Sequence, residues 1–157
     1  MAKQLYWEDV KVGDEITPMS KSGTTQMVVK WAGGSGDFIP LHYDYIYMTK
    51  TQGLDGPIIH GGLKRQWMIH MLTEWTGDPG TIKKFSCEYR GIDYCRPMQT
   101  RTEPMEGELW PWWCKGKVTK KYTEGGEHYL DCDVWVENGK GEITTPARAT
   151  VALPSKS

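Results

Sequence analysis

The 157-residue chain is long enough to bury its own core, and we assign residues 1–157 to one domain whose tail should fray after about residue 154. Its net charge of −1 predicts no surface for nucleic acid or an anionic membrane. No apolar run approaches the roughly 18 residues of a membrane span, and the first residues lack the apolar centre of a signal peptide. Because the four cysteines lie far apart, we expect reduced thiols in a cytoplasmic protein.

The N-terminal part of the chain predicts an extended segment and two short helices. Residues 6–19 alternate valines with polar residues and contain a Gly-Asp turn signal. Helical spacing predicts a helix over residues 24–31, which a cluster of glycines should end. A second short helix is predicted over residues 44–52, with Asp44 as its cap.

The strongest helical pattern covers residues 62–76. Leu63, Trp67, His70 and Met71 recur at intervals of three and four residues, and Gly-Asp-Pro follows the last turn. Because His70 shares this apolar stripe, we expect it to be a hydrogen-bonded histidine in the core.

After this helix the apolar pattern changes to the alternation of β-strands. Strands are predicted over residues 82–90, 109–122, 128–137 and 142–153. Glycine-containing turns separate the last three, and residues 95–108 have no clear period and are predicted to be a loop. The order indicates an α+β fold in which an antiparallel sheet wraps around one long central helix.

Two interpretations fit the aromatic run at residues 110–113, Trp-Pro-Trp-Trp. The first is a strand whose indoles pack under the neighbouring loop or against a partner subunit, since large aromatic side chains most often serve packing. The second is an aromatic wall that binds a substrate. We favour the first.

The best candidates for chemistry are Asp37 and His42, which flank Pro40. A proline inside a helix removes a backbone donor and clashes with the preceding turn, so the pair does not share one uninterrupted helix. An Asp after a glycine-rich helix end and a His on the following turn can point into one cleft. The alternative is a capping aspartate beside a histidine of the core.

Two motifs resemble the MaoC-like dehydratases, which include the (R)-specific enoyl-CoA hydratases of the hotdog fold. They are Ser-Gly-Asp-Phe-Ile-Pro-Leu-His-Tyr-Asp at residues 35–44 and Pro-Ile-Ile-His-Gly at residues 57–61. The resemblance implies that Asp37 and His42 activate water and that the Gly61 N–H binds the thioester oxygen. His60 lines the site or makes a structural hydrogen bond. No metal or redox cofactor is implied, because the substrate itself carries coenzyme A or acyl carrier protein.

The resemblance implies a hydro-lyase that acts on an acyl-CoA thioester as a dimer or a larger homo-oligomer. Ile39 stands where the family usually has Asn, and Ile69 stands where a polar residue often steadies the aspartate. These departures favour one alternative, an accessory subunit that works with a second hotdog subunit in a hetero-oligomer. A hotdog acyl-CoA thioesterase is the second alternative.

Overall fold

A computed structural model describes residues 4–78, 80–105 and 111–156. Five antiparallel strands form one sheet in the order β1-β3-β4-β5-β2. The strands are β1 Glu15–Lys21, β2 Thr81–Cys87, β3 Trp112–Glu124, β4 Glu127–Glu137 and β5 Ile143–Leu153. Two α-helices accompany the sheet, α1 Thr25–Ser35 and α2 Gly61–Thr76. The predicted α+β architecture is confirmed.

Tight glycine turns fix the register of the three long strands. Gly125 and Gly126 have φ values of 59° and 83° between β3 and β4, and Gly141 has a φ of 81° before β5. Only glycine adopts this left-handed backbone without steric cost, so these positions mark where the chain reverses. Each strand then alternates one buried face with one that is more exposed.

The core lies between α2 and the inner face of the sheet. Trp67, Met68, Met71 and Leu72 of α2 are at most 4 % exposed. Trp112 of β3 is fully buried, and its ring centroid lies 6.3 Å from that of Trp67. The predicted packing role is therefore confirmed for Trp112, although its ring neighbour is Trp67 of the central helix, and Trp110 lies outside the described residues.

Two predicted boundaries near the N-terminus were wrong. The first strand starts only at Glu15, because a 3-10 turn at Trp7–Asp9 precedes it and only Ile16 of β1 is fully buried. Helix α1 continues through the predicted stop and ends at Gly36, whose φ is 76°. Its Thr24 cap accepts a hydrogen bond from the Met27 N–H at 3.1 Å.

His70 is not a core residue, so that prediction was wrong. Its side chain is 52 % exposed, and its Nδ1 lies 2.7 Å from Nζ of Lys21. One residue advances the helix by about 100°, which separates His70 from the buried stripe that includes Met71 and Leu72.

The segment between the two helices is built of short turns. A 3-10 turn covers Pro40–His42, and a π-helical turn covers Tyr47–Thr51. Asp44 accepts a hydrogen bond from the Tyr47 N–H at 2.9 Å, which confirms its predicted role as a cap. In the predicted loop, residues 95–105 form only isolated bridges, and residues 106–108 lie outside the described ranges.

The C-terminal end of β5 lies against the first turn of the chain. The Trp7 N–H donates to the Pro154 carbonyl at 2.9 Å. Beyond it, the Lys156 N–H donates to Glu8 Oε2 at 3.2 Å, and fraying of the tail after about residue 154 stays a prediction. Across the described ranges, no helix is both long and apolar enough to cross a membrane.

Candidate active site

Asp37 is held at the end of α1 by short-range hydrogen bonds. Its N–H donates to Ser35 Oγ and its Oδ1 accepts from the Ile39 N–H, both at 3.3 Å. Pro40 then begins the 3-10 turn that carries His42, as its fixed φ favours at the first position of such a turn. The proline that excludes a continuous helix thus brings His42 back toward Asp37.

His42 is 8 % exposed and is fixed by the backbone of the strand-like segment before α2. Its Nδ1 lies 3.0 Å from the Ile58 carbonyl oxygen. A carbonyl accepts and does not donate, so Nδ1 carries the proton and Nε2 is left as an acceptor. Burial lowers the pKa of His42, and the nearby His60 ring lowers it further. The resting imidazole is therefore neutral, with a lone pair available on Nε2.

His60 bridges Asp37 and the start of α2. Its Nδ1 accepts a hydrogen bond from the Gly62 N–H at 2.8 Å, which makes His60 the cap of the helix. Its ring proton is consequently on Nε2, which donates to Asp37 Oδ2 at 2.6 Å. This hydrogen bond is the main cause that lowers the pKa of Asp37, so the carboxylate stays ionised.

Aromatic contacts fix the plane of the His60 ring. Its centroid lies 4.3 Å from that of His42 and 5.8 Å from that of Trp31. One ligand-type atom from each of Asp37, His42 and His60 lies within 4.8 Å of the others. The acceptor atoms of Asp37 and His42 can share one water molecule at such a separation, because each hydrogen bond spans about 2.8 Å.

Gly61 places a backbone N–H at the mouth of this cluster. It is the first residue of α2, so its N–H has no acceptor within the helix and lies at the positive end of the helix dipole. A Cβ at this position would lie 2.9 Å from the Tyr89 ring, so the close approach of Tyr89 favours glycine. Gly61, His42 and Tyr89 line a cavity of about 220 Å³.

Comparison with known proteins finds no matching family model and no matching curated protein. Solved structures do match. The (R)-hydratase from A. caviae involved in PHA biosynthesis is 20 % identical, with a TM-score of 0.76 over 94 % of this chain and 99 % of its own. The R-hydratase PhaJ1 from Pseudomonas aeruginosa is 17 % identical, with a TM-score of 0.79 over 98 % of this chain and 88 % of its own.

A third match is the ChsH1-ChsH2 complex from Mycobacterium tuberculosis. It is 17 % identical, with a TM-score of 0.72 over 91 % of this chain and 98 % of its own. This chain shares the hotdog fold of these structures. At these identities the likeness establishes the fold, and the chemistry has to be argued from the site.

The sequence motifs named four candidate site residues, and the structure brings all four together. Asp37, His42, His60 and Gly61 surround one end of α2. Ile39 is 47 % exposed and offers Asp37 only its backbone N–H. The polar support that seemed to be missing at positions 39 and 69 therefore comes from His60.

Sequence reasoning missed a buried ion pair beside the cavity. Lys64 Nζ donates to Asp93 Oδ2 at 2.8 Å and to the Gly91 carbonyl at 3.1 Å. The Lys64 and Asp93 side chains are 3 % and 0 % exposed, and Thr144 Oγ1 donates to the same carboxylate oxygen at 2.6 Å. The available signal was helical spacing, because Lys64 shares the buried face of α2 with Met68 and Met71.

Two histidines and one carboxylate also make the ligand set of some metal sites. Here the hydrogen-bond pattern favours proton transfer instead. A histidine nitrogen must be unprotonated to bind a metal ion. Because His60 Nδ1 accepts from Gly62, the proton lies on Nε2, the atom that faces Asp37. The cluster is arranged as a hydrogen-bonded pair beside a neutral histidine.

Proposed function

We propose that the protein interconverts a 2-enoyl thioester and a 3-hydroxyacyl thioester, the thiol being coenzyme A or acyl carrier protein. One observation carries the proposal: Asp37 and neutral His42, whose Nε2 is left as the acceptor, bring ligand-type atoms within 4.8 Å of each other beside the N-terminus of α2. A water activated between them would lie next to a donor suited to a thioester oxygen. The proposed reaction needs no bound cofactor.

In the hydration direction, one water donates a hydrogen bond to His42 Nε2 and another to Asp37, and these two bonds hold it in place. The water oxygen bonds to C3 of the substrate while one of its protons passes to His42 Nε2. The electron pair of the C2=C3 bond moves toward the thioester, and the carbonyl oxygen gains negative charge. Because Asp37 is held ionised by His60, it orients the water and stabilises the imidazolium that forms.

The Gly61 N–H then stabilises the enolate oxygen. A preorganised backbone donor at a helix N-terminus is worth most where charge develops in the transition state. The enolate collapses as C2 takes the proton from His42 Nε2, which restores the neutral imidazole. One water has then been added across the double bond, and dehydration follows the same steps in reverse.

The same geometry bears on the accessory-subunit alternative. The sequence supported that alternative because Ile39 and Ile69 offer Asp37 no side-chain partner. The 2.6 Å hydrogen bond from His60 supplies the partner, which supports catalysis by a single chain. In the proposed reaction the chemistry needs no second hotdog subunit.

The purified chain, offered crotonyl-CoA and longer or branched enoyl-CoA substrates, tests the proposal. Loss of enoyl absorbance reports hydration, and a thiol reagent reports hydrolysis. Asp37→Asn and His42→Ala should each lower kcat by about 10²–10⁴-fold, the usual contribution of a positioned acid or base. Asp55→Asn and His70→Ala make the same chemical changes at exposed positions, and both should keep full activity.

Each other outcome points elsewhere. Release of free thiol without hydration would support the thioesterase alternative. Turnover that requires an added second subunit would support the accessory role. Hydration that persists in both Asp37→Asn and His42→Ala would show that the reaction takes place at another site.

A further inference from the structure

We infer that His60 is a positioning residue whose single imidazole connects the proposed catalytic pair, Asp37 and His42, to the helix start that carries the oxyanion donor. The inference rests on the proposed function and extends it. It assigns His60 a role beyond lining the site: the ring orients Asp37 and the first turn of α2 together.

The first step is the assignment of the ring proton. The Gly62 N–H donates to Nδ1 at 2.8 Å, so Nδ1 must be an acceptor. A neutral imidazole has one donor and one acceptor, and Nε2 is therefore the donor to Asp37 Oδ2. The backbone of α2 thus determines which ring nitrogen carries the proton and donates to the carboxylate.

The second step is that little freedom remains in this arrangement. His42 and Trp31 lie at centroid distances of 4.3 and 5.8 Å from the His60 ring. A Cβ at Gly62 would lie 2.9 Å from His60 Nδ1 and 3.0 Å from Trp31. The absence of a side chain at Gly62 therefore lets the ring sit flat against the helix start.

The third step follows from what faces Asp37. His60 at the start of α2 donates to Oδ2, the Ile39 N–H donates to Oδ1, and His42 lies on the intervening turn. Among the described residues, His60 and His42 are the titratable groups that act on this carboxylate, and both lower its pKa. Loss of His60 would leave Asp37 with one backbone hydrogen bond and more freedom to rotate away from the water.

Two substitutions separate the capping role from the positioning role. Asn is among the best capping residues, so His60→Asn can keep the hydrogen bond to Gly62, but its shorter side chain does not reach Asp37 as Nε2 does. His60→Ala loses both contacts. We expect the denaturation midpoint to fall in His60→Ala and to remain near the wild-type value in His60→Asn.

Activity should follow the Asp37 contact and not the cap. Both variants should lose about 10–100-fold in kcat, with KM changed less than about threefold, as expected when a catalytic group is misplaced but binding survives. The acid limb of the kcat/KM profile should move to higher pH in both. The pKa of Asp37 should rise because it loses its main hydrogen bond, and that of His42 should rise because it loses part of its shielding from water. A purely structural role would leave that limb unmoved.

A direct titration of Asp37 separates failure of this inference from failure of the proposed function. Carboxyl ¹³C NMR, with the Asp37 signal assigned by its loss in Asp37→Asn, needs no substrate. The pKa of Asp37 should be higher in His60→Asn than in the wild type. An unchanged pKa together with wild-type kcat would overturn the inference. Absence of hydration in the wild type, with a shifted pKa, would overturn only the proposed reaction.

Discussion

Gly61 and Tyr89 show at the residue scale how closely the proposed oxyanion donor is packed. A methyl group at position 61 would lie 2.9 Å from the Tyr89 ring. Gly61→Ala should therefore lower kcat/KM by about 10–100-fold, because the first turn of α2 or the Tyr89 ring must move. Steady-state hydration kinetics measures the loss.

A double-mutant cycle checks the cause. The Tyr89→Ala background removes the ring atoms nearest to the added methyl, so Gly61→Ala should cost less there, by at least about 0.5 kcal/mol of coupling. Equal costs in the two backgrounds would mean that Tyr89 is not what the methyl group displaces.

The two proposed catalytic groups, His42 and Asp37, also predict how kcat/KM depends on pH. Burial lowers the pKa of His42, and the His60 hydrogen bond lowers that of Asp37. The proposed reaction needs neutral His42 and ionised Asp37, so the acid limb of kcat/KM should lie below the ordinary histidine value of about 6.5. Initial rates between about pH 4 and 8 measure it. A limb at or above 6.5 would contradict the described burial of His42.

The lowered pKa of His42 also affects the stability of the fold. A histidine whose pKa is lower in the folded chain stabilises the fold above its unfolded pKa of about 6.5. That contribution is lost as the pH falls through the folded pKa, so acid should destabilise wild type more than His42→Ala.

How much of the site the sequence predicts depends on the distance between partners in the chain. Asp37 and His42 are close in sequence, and the proline between them limits their geometry, so the pair could be named. His60 is 23 residues from Asp37, and their contact depends on how the intervening turns fold. Its tautomer depends further on a backbone N–H that only the formed helix presents.

At the scale of elements, the start of α2 is anchored to the sheet by buried charge. Lys64 binds Asp93, whose carboxylate also accepts from Thr144 of β5. Lys64→Met should lower the free energy of unfolding by about 3–5 kcal/mol, because it leaves a buried carboxylate without its counter-charge. Urea denaturation measures the change.

Two further variants serve as controls for the buried pair. Lys64→Met/Asp93→Asn removes both charges and should cost less than the single change at Lys64. Lys83→Met makes the same side-chain change at a half-exposed pair with Glu127 and should leave stability nearly unchanged. A small loss in Lys64→Met would show that the pair contributes little to the anchoring of α2.

Helices and strands were predictable where apolar residues recur at a regular spacing and a turn residue such as glycine follows them. Helix α2 and strands β4 and β5 lie within a residue or two of their predicted bounds, since the apolar period and the flanking glycines agree. Strand β1 was misplaced because only Ile16 in it is fully buried, so its pattern is weak. Helix α1 runs past the predicted glycine stop at residue 33, since contacts of the formed helix outweigh the small cost of glycine.

At the scale of the whole molecule, the sheet ends at β2, which pairs only with β5 among the described strands. In the segment that follows β2, Tyr89 and Ile92 lie beside the cavity and are 53 % and 54 % exposed. An open strand edge next to exposed apolar side chains favours association with a second copy. We predict a dimer, so light scattering should give about twice the 17.9-kDa mass of the chain.

Substitution of one exposed apolar residue tests the surface. Ile92→Glu should shift the dimer toward monomer at low concentration and leave the circular dichroism spectrum unchanged. Thr51→Glu, at an exposed position on another turn, is the matched control and should remain dimeric. A dimer equally stable in both variants would place the interface elsewhere.

The contact between the end of β5 and the first turn has a practical consequence. Trp7 and Pro154 share a backbone hydrogen bond, and the Lys156 N–H reaches Glu8. A short flexible linker can therefore join the two ends, and the chain can be reopened at the Gly125-Gly126 turn, far from Asp37 in sequence. The same proximity would allow two copies to be fused in tandem, one with Asp37→Asn, so that one intact and one inactive site could be studied in a single polypeptide.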